Sequence, residues 1–174
     1  MLAGRQNNLL VGGFTLVELM VTLVVLAVLV GVAQPAFVSL LRNIQVRNAA
    51  ESVLSGVHRA RAEAVGRNAS VAFVLSADSS WSINLVATAT TIENRSAADG
   101  SQNVTQTVTP NGSSTVTFNN LGVVIANADA TAQLTQVEFS ASSATRNLRV
   151  TIGVGGNVRM CDPNLATGSS VAAC

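Results

Sequence analysis

The sequence has no lysine and no tyrosine, a single histidine and a single tryptophan. Aromatic residues make up only 3% of it, too few for the row of exposed rings that a carbohydrate platform needs. Charged residues are 11% and the net charge is +1, so the chain as a whole has no electrostatic pull on nucleic acid or an acidic membrane surface. Any such binding needs a local cluster. The lone histidine, His58, sits among Arg and Val and completes no Ser-His-Asp or Cys-His arrangement, so it is read as a helical surface residue. Two cysteines with one distant histidine do not complete a tetrahedral metal set. Gly153-Val154-Gly155-Gly156 lacks the helix and lysine that a phosphate-binding loop requires. No catalytic residue, metal or cofactor is assigned on these grounds.

What the chain does have is a long apolar run. The twenty positions from Phe14 to Ala33 contain one ionisable residue, Glu18. About 20 residues of helix span about 30 Å of hydrocarbon, so this stretch can cross a bilayer. A carboxylate inside such a span costs at least about 2.5–3.5 kcal/mol and by default marks function; the bland reading is a carboxylate that reaches the interface. The run also differs from an ordinary secretory signal. There, small residues for cleavage follow the apolar core. Here Gly12-Gly13 precede it, so cleavage leaves the apolar segment on the product.

An apolar start that implies export also bears on Cys161 and Cys174. An even count in an oxidising compartment favours a disulfide between them, the alternative being two unrelated thiols. Such a loop is worth roughly 3 kcal/mol and pins a terminus that otherwise frays.

After Gln34-Pro35 the pattern becomes one-sided. Phe37, Leu40, Leu41, Ile44, Val53, Leu54, Val57, Ala60 and Ala64 recur at threes and fours, the period of an amphipathic helix. Pro35 removes one backbone donor and is expected to kink the helix without ending it. Gly66 is the expected stop. Glu63 stands four residues before Arg67, which makes an intrahelical pair the simplest account of the Arg59, Arg61 and Arg67 cluster. Downstream the period changes to two. Runs at 70–75, 81–87, 104–109, 115–118, 123–126, 134–140, 147–152 and 158–161 are rich in Val, Thr and Phe and separated by turn residues. Residues 88–103 read as a polar loop. Trp81, Phe73, Phe118 and Phe139 are expected in the core. Four Asn-x-Ser/Thr triplets, at Asn68, Asn94, Asn103 and Asn111, are frequent enough in so polar a chain to arise by chance. The expected class is α+β: a long N-terminal helix, transmembrane in its first half and amphipathic in its second, packed on antiparallel sheet.

Gly13-Phe14-Thr15-Leu16-Val17-Glu18 followed by the apolar helix resembles the type III signal sequence of the type IV pilin superfamily, and Pro35 falls where such proteins commonly carry proline. Val137-Glu138-Phe139, Phe118-Asn119-Asn120-Leu121-Gly122 and the segment Gly156 to Pro163 are similar to the GspH/FimT family of minor pilins and pseudopilins. The resemblance implies a pilin-like fold and cleavage by a prepilin peptidase between Gly13 and Phe14. It also implies N-methylation of Phe14. The implied organisation is a leader over 1–13, a transmembrane and assembly helix over 14–35, an amphipathic helix over 36–66, and a β domain with a C-terminal disulfide loop over 67–174. Gly13 lets a peptidase approach the backbone, because no Cβ stands in the way. The freed amine is largely cationic near neutral pH, and Glu18 of one subunit can pair with the amine of its neighbour to set register.

The function so implied is that of a structural minor pilin and not an enzyme. It is held in the bacterial inner membrane with its globular domain in the periplasm, then assembled into or at the tip of a pilus with other pilins. Two alternatives stay open: a minor pseudopilin of a type II secretion system, and a DNA-binding minor pilin for natural transformation. The last rests on Arg146, Arg149 and Arg159 as phosphate contacts. The chain reads Gly156-Asn157-Val158-Arg159 where competence-linked relatives resemble one another in Gly-Arg-x-Arg, so one arginine is missing. An anchored periplasmic enzyme is a further class, with no residues to assign to it.

Overall fold

The computed structural model describes residues 13–174; the expected leader up to Gly12 lies outside the described residues. The chain divides into two compact units, one ending at Phe37 and the other formed by Val38–Cys174. A single helix, α1, runs Leu16–Gly66 with Pro35 inside it. Thr15 opens it: its hydroxyl accepts a hydrogen bond from the Glu18 amide at 3.2 Å, the N-cap geometry that satisfies one of the free donors of the first turn.

The helix stops at the expected residue by a different device. Gly66 is its last residue, but Asn68 takes the left-handed conformation (φ 51°). The amide of Asn68 bonds to the Val65 carbonyl and that of Ala69 to the Ala64 carbonyl, at 3.2 and 3.1 Å. This is a Schellman ending, with asparagine in the place glycine usually takes.

Within the second unit the helix buries Val46, Ala49, Ala50, Val53, Val57, Ala60 and Ala64, a stripe made largely of small side chains. Small residues let the sheets approach closely. Gly56 is the tightest point: a Cβ there would lie 2.8 Å from Phe73 Cε2 and 3.0 Å from the Trp81 ring. The two rings pack with centroids 5.6 Å apart. The Trp81 indole donates to the Ser52 hydroxyl at 2.8 Å in the buried interior, so burying the ring leaves no orphaned N–H.

Among the described residues the strands are β1 (Val71–Leu75), β2 (Trp81–Leu85), β3 (Thr90–Arg95), β4 (Thr105–Thr109), β5 (Thr115–Phe118), β6 (Val124–Ile125), β7 (Gln136–Ser140), β8 (Leu148–Ile152) and β9 (Val158–Cys161). They form two sheets, ordered β3-β2-β1-β5-β6 and β4-β7-β8-β9, with every strand pair antiparallel. Phe73, Ile83, Val116 and Phe118 of the first sheet and Val137, Phe139, Val150 and Ile152 of the second meet the helix stripe in one core.

Residues 88–103 are a correction. They do not form a loop throughout: Thr90–Arg95 is an edge strand paired with β2, and a short 3-10 turn, Ala97–Asp99, follows. The sequence Thr-Thr-Ile-Glu-Asn-Arg carries one apolar residue, so it has no alternation to read. The strand is held by its ladder to β2 and by Glu93, whose carboxylate meets Arg59 of the helix at 2.8 Å.

The contact at Gly56 yields a prediction. Gly→Ala in an open helix gains about 1 kcal/mol, but here the added methyl meets two buried rings, and overpacking costs about 1–3 kcal/mol. Gly56→Ala is expected to lower the urea midpoint of the Val38–Cys174 unit. A raised midpoint would show that the seam between helix and rings has room to spare.

Candidate functional site

Two regions were marked by the sequence, and they are built in different ways. In the first, Gly13 and Phe14 lie outside the helix and fully accessible: an added Cβ at Gly13 meets nothing within 4 Å, and Phe14 is 82% exposed. Beyond them the apolar face has no inside. The most apolar 18-residue window of α1 has mean hydropathy 2.7 and none of it is buried. Leu16, Val17, Val25 and Leu26 project about a quarter-turn apart around the helix, and all stand exposed. Such a surface requires lipid or other helices as its solvent.

Glu18 is the third residue of this helix, three positions after its cap Thr15. Thr15-Leu16-Val17-Glu18 has the Thr-x-x-Glu spacing of a capping box. The acidic group stands in the first turn, where the positive end of the helix dipole favours it. So Glu18 has a local role that the membrane reading of the same residue passes over. The signal was in the sequence, since threonine three residues before glutamate at the head of an apolar run is a helix-start signature.

The second region is the proposed basic patch, and the structure does not bring three free guanidinium groups together. Arg149 on β8 lies directly opposite Glu138 on β7, and the two meet at 2.8 Å. Asn147 donates to the other oxygen of the same carboxylate at 3.3 Å. Arg146 reaches Asp162 at 3.3 Å, and that carboxylate is almost wholly buried while the arginine is open to solvent. Arg159 is exposed on the edge strand β9, across from Thr151. Two carboxylates therefore stand among the three arginines.

The arginines of α1 are also dispersed. The pair expected within the helix forms, Arg67 to Glu63 at 2.6 Å. Arg59 instead reaches across to Glu93, and Arg61 donates to the Gly122 carbonyl at 2.9 Å. His58 is exposed on the helix.

Cys161 and Cys174 are joined, with Cα atoms 5.1 Å apart and a sequence separation of 13. The tail they close folds back on the end of β9: Asp162 donates its amide to the Ala172 carbonyl at 2.7 Å and pairs with Ala173 in a parallel bridge. A cavity of about 410 Å³ lies beside this tail, floored by Ile44, Val46, Leu148 and Met160. Arg47 and Arg146 also line it, each already held by a carboxylate.

The family described as Type II transport protein GspH matches residues 49–166, and the prokaryotic N-terminal methylation motif matches residues 10–33. No curated protein matches the chain. Among solved structures, it is similar to two crystal forms, in space groups P21 and P65, of the type IV minor pilin FimU of Pseudomonas aeruginosa. Identity is 16% and the TM-score 0.49 for each; the likeness covers 68% of this chain and 92% and 97% of those chains.

The closed tail carries its own prediction. Cys174→Ser opens a short loop, for which chain entropy gives about 3 kcal/mol. The variant is expected to lose about that much stability in denaturant, and the wild-type chain to lose a similar amount on reduction. Equal midpoints with and without reductant would mean that the tail's hydrogen bonds alone hold it.

Proposed function

We propose that this chain, which belongs to the GspH family across residues 49–166, is a minor type IV pilin: a structural subunit cleaved at its N-terminus and built into or at the tip of a pilus. The observation that supports this most is the wholly exposed apolar stretch of α1 with one carboxylate in its first turn. The methylation motif matched over residues 10–33 covers the same stretch.

The physical sequence is as follows. Before assembly the apolar stretch is held in the inner membrane, with the Val38–Cys174 unit on the periplasmic side. Prepilin peptidase cuts between Gly13 and Phe14 and methylates the new amine of Phe14. Lipid tails are as apolar as Leu and Val, so helix packing there gains little from the hydrophobic effect itself, and polar contacts decide register. Glu18 meets the cationic amine of a neighbour's Phe14, and Pro35 lets the helix bend as it packs. Breaking one partner of a buried ion pair costs about 3–5 kcal/mol, so a subunit out of register is strongly disfavoured.

A second reading has one observation in its favour. The family is described as a type II transport protein, so the same mechanics would serve a minor pseudopilin of a secretion system. Co-purification with the subunits of one machine or the other separates the two. The DNA-binding reading draws less support, because Glu138 and Asp162 already occupy Arg149 and Arg146. Phosphate contact would have to displace those pairs.

One measurement on the wild type and two variants test the assembly reading. The mature chain is expected to begin at methylated Phe14, seen by mass spectrometry of the fibre fraction. Gly13→Leu is expected to leave uncut precursor. Glu18→Ala is expected to be cut normally yet enter fibres at least about tenfold less, a modest fraction of what a buried pair is worth. Undiminished entry of the Glu18 variant would remove the ion pair from the account. A separate gel-shift addresses DNA: the Val38–Cys174 unit is expected to give no shift at low salt, because Arg146 and Arg149 are already paired; a shift would favour the DNA-binding reading.

A further inference from the structure

Two of the three segments that resemble the GspH/FimT pattern meet in space. The turn after β5 carries Asn119 to Val123, and the turn between β8 and β9 carries Gly153 to Asn157. The Val124 amide donates to the Val154 carbonyl at 3.1 Å, linking them. Both turns close on Arg61 of the helix. An added Cβ at Gly122 would lie 2.9 Å from Arg61 Nε and 3.2 Å from Val65 Cγ2. One at Gly156 would collide with the Gly122 carbonyl and come within 3.0 Å of Arg61 Nε. Both glycines also hold positive φ, 74° and 77°, so neither position accepts a side chain.

The turns are stiff. Asn119 accepts at Oδ1 from the amides of Leu121 and Val123, both at 3.0 Å, and the Gly153 amide bonds to the Asn157 carbonyl at 2.8 Å. What they hold outward is apolar. Leu121 is 74% and Val154 81% exposed, with Val65 and Val123 exposed beside them. Single exposed apolar residues are ordinary; three gathered on rigid turns, where polar residues are the rule, beside a fourth on the last turn of the helix, are not.

We infer that Val65, Leu121, Val123 and Val154 form a docking surface for a second pilin-type subunit, which seats there the stretch of its helix that matches Val38, Leu40, Leu41 and Ile44. The inference rests on the assembly reading above and adds the partner and the contact. The cluster stands at the Gly66 end of α1. In a filament of parallel helices growing from the membrane, that end faces the subunit incorporated earlier. The complement is present in this chain's own design. Val38, Leu40, Leu41 and Ile44, where the helix enters the second unit, are exposed and apolar, so subunits of this build carry an apolar patch at each end and stack head to tail. A heterologous contact of this kind propagates along a fibre without closing. From Leu41 to Val65 the helix rises about 36 Å, which sets the axial offset between stacked subunits. It follows that this subunit lies beneath another and is not the outermost of its fibre.

The experiment uses the full-length chain in cells that assemble the fibre. A photo-crosslinking residue is placed at Leu121, at Val154, and at Thr107 on the exposed polar side of β4 as a control. Crosslinks from the first two are expected to land on a pilin-type chain just beyond its membrane span, and none from the third. The double variant Leu121→Asp with Val154→Asp is expected to be cleaved after Gly13 and to melt as the wild type does, yet to enter fibres at least tenfold less. Normal entry of that variant beside wild type in the fibres overturns the docking surface alone. Crosslinking from Thr107 in place of Leu121 and Val154 does the same. Absence of the wild-type chain from the fibres overturns the assembly reading, and the docking surface with it.

Discussion

A single helix here must satisfy two solvents. From Leu16 onward it is apolar on every side, and none of that surface is covered within the chain. From Val46 to Ala64 it is apolar on one side only, and that side is buried under two sheets. The difference is the number of apolar faces, and it decides what each half can do. The second half has its partner in its own domain and contributes to folding. The first half has none, so its free energy depends on what surrounds it. A subunit built in this way is finished only by lipid or by other subunits.

The domain that carries the helix is held by means suited to small residues. Ala49, Ala50, Gly56, Ala60 and Ala64 keep the helix thin where Phe73 and Trp81 cross it. The two aromatic rings supply the bulk that the helix withholds, and Ser52 takes up the one polar atom they bring inside. Around this core the few charges are used as fasteners. Arg59 ties the helix to the edge strand β3, Arg61 ties it to the turn at Gly122, and Arg149 ties β8 to β7. The side chain of arginine suits this work, because its planar fork can satisfy a carboxylate or a carbonyl at the end of a long reach.

Much of this was legible in the amino-acid order, and the exceptions have physical reasons. The apolar run, the change of period and the strand-rich second half announce the helix and sheets, and the six-residue start from Gly13 to Glu18 lies within the N-terminal methylation motif. The edge strand β3 was not legible, because its polar residues face water on both sides and its stability comes from a ladder to a strand already in place. Nor was the fate of Arg149. Local sequence shows a basic residue on a strand, but cross-strand register alone places Glu138 opposite it. Glu18 shows the reverse problem. Its apolar setting points to one role, while the spacing from Thr15 points to another, the helix start. A residue can start a helix and serve assembly at once, and sequence patterns present the roles one at a time.

The folded-back tail has a consequence for the chain before it is assembled. β9 is the outer strand of its sheet, and an outer strand offers unpaired amides and carbonyls to any other chain that comes alongside. Asp162, at its end, is already bonded to Ala172 and bridged to Ala173, and the sulfur link keeps those residues from leaving. The opposite border, β4, is followed directly by Pro110, which has no amide proton to offer. At this sheet, strand pairing between crowded subunits is thus hindered where the tail covers the end of β9. The closed terminus acts as a guard against the wrong kind of polymer in a molecule made to polymerise.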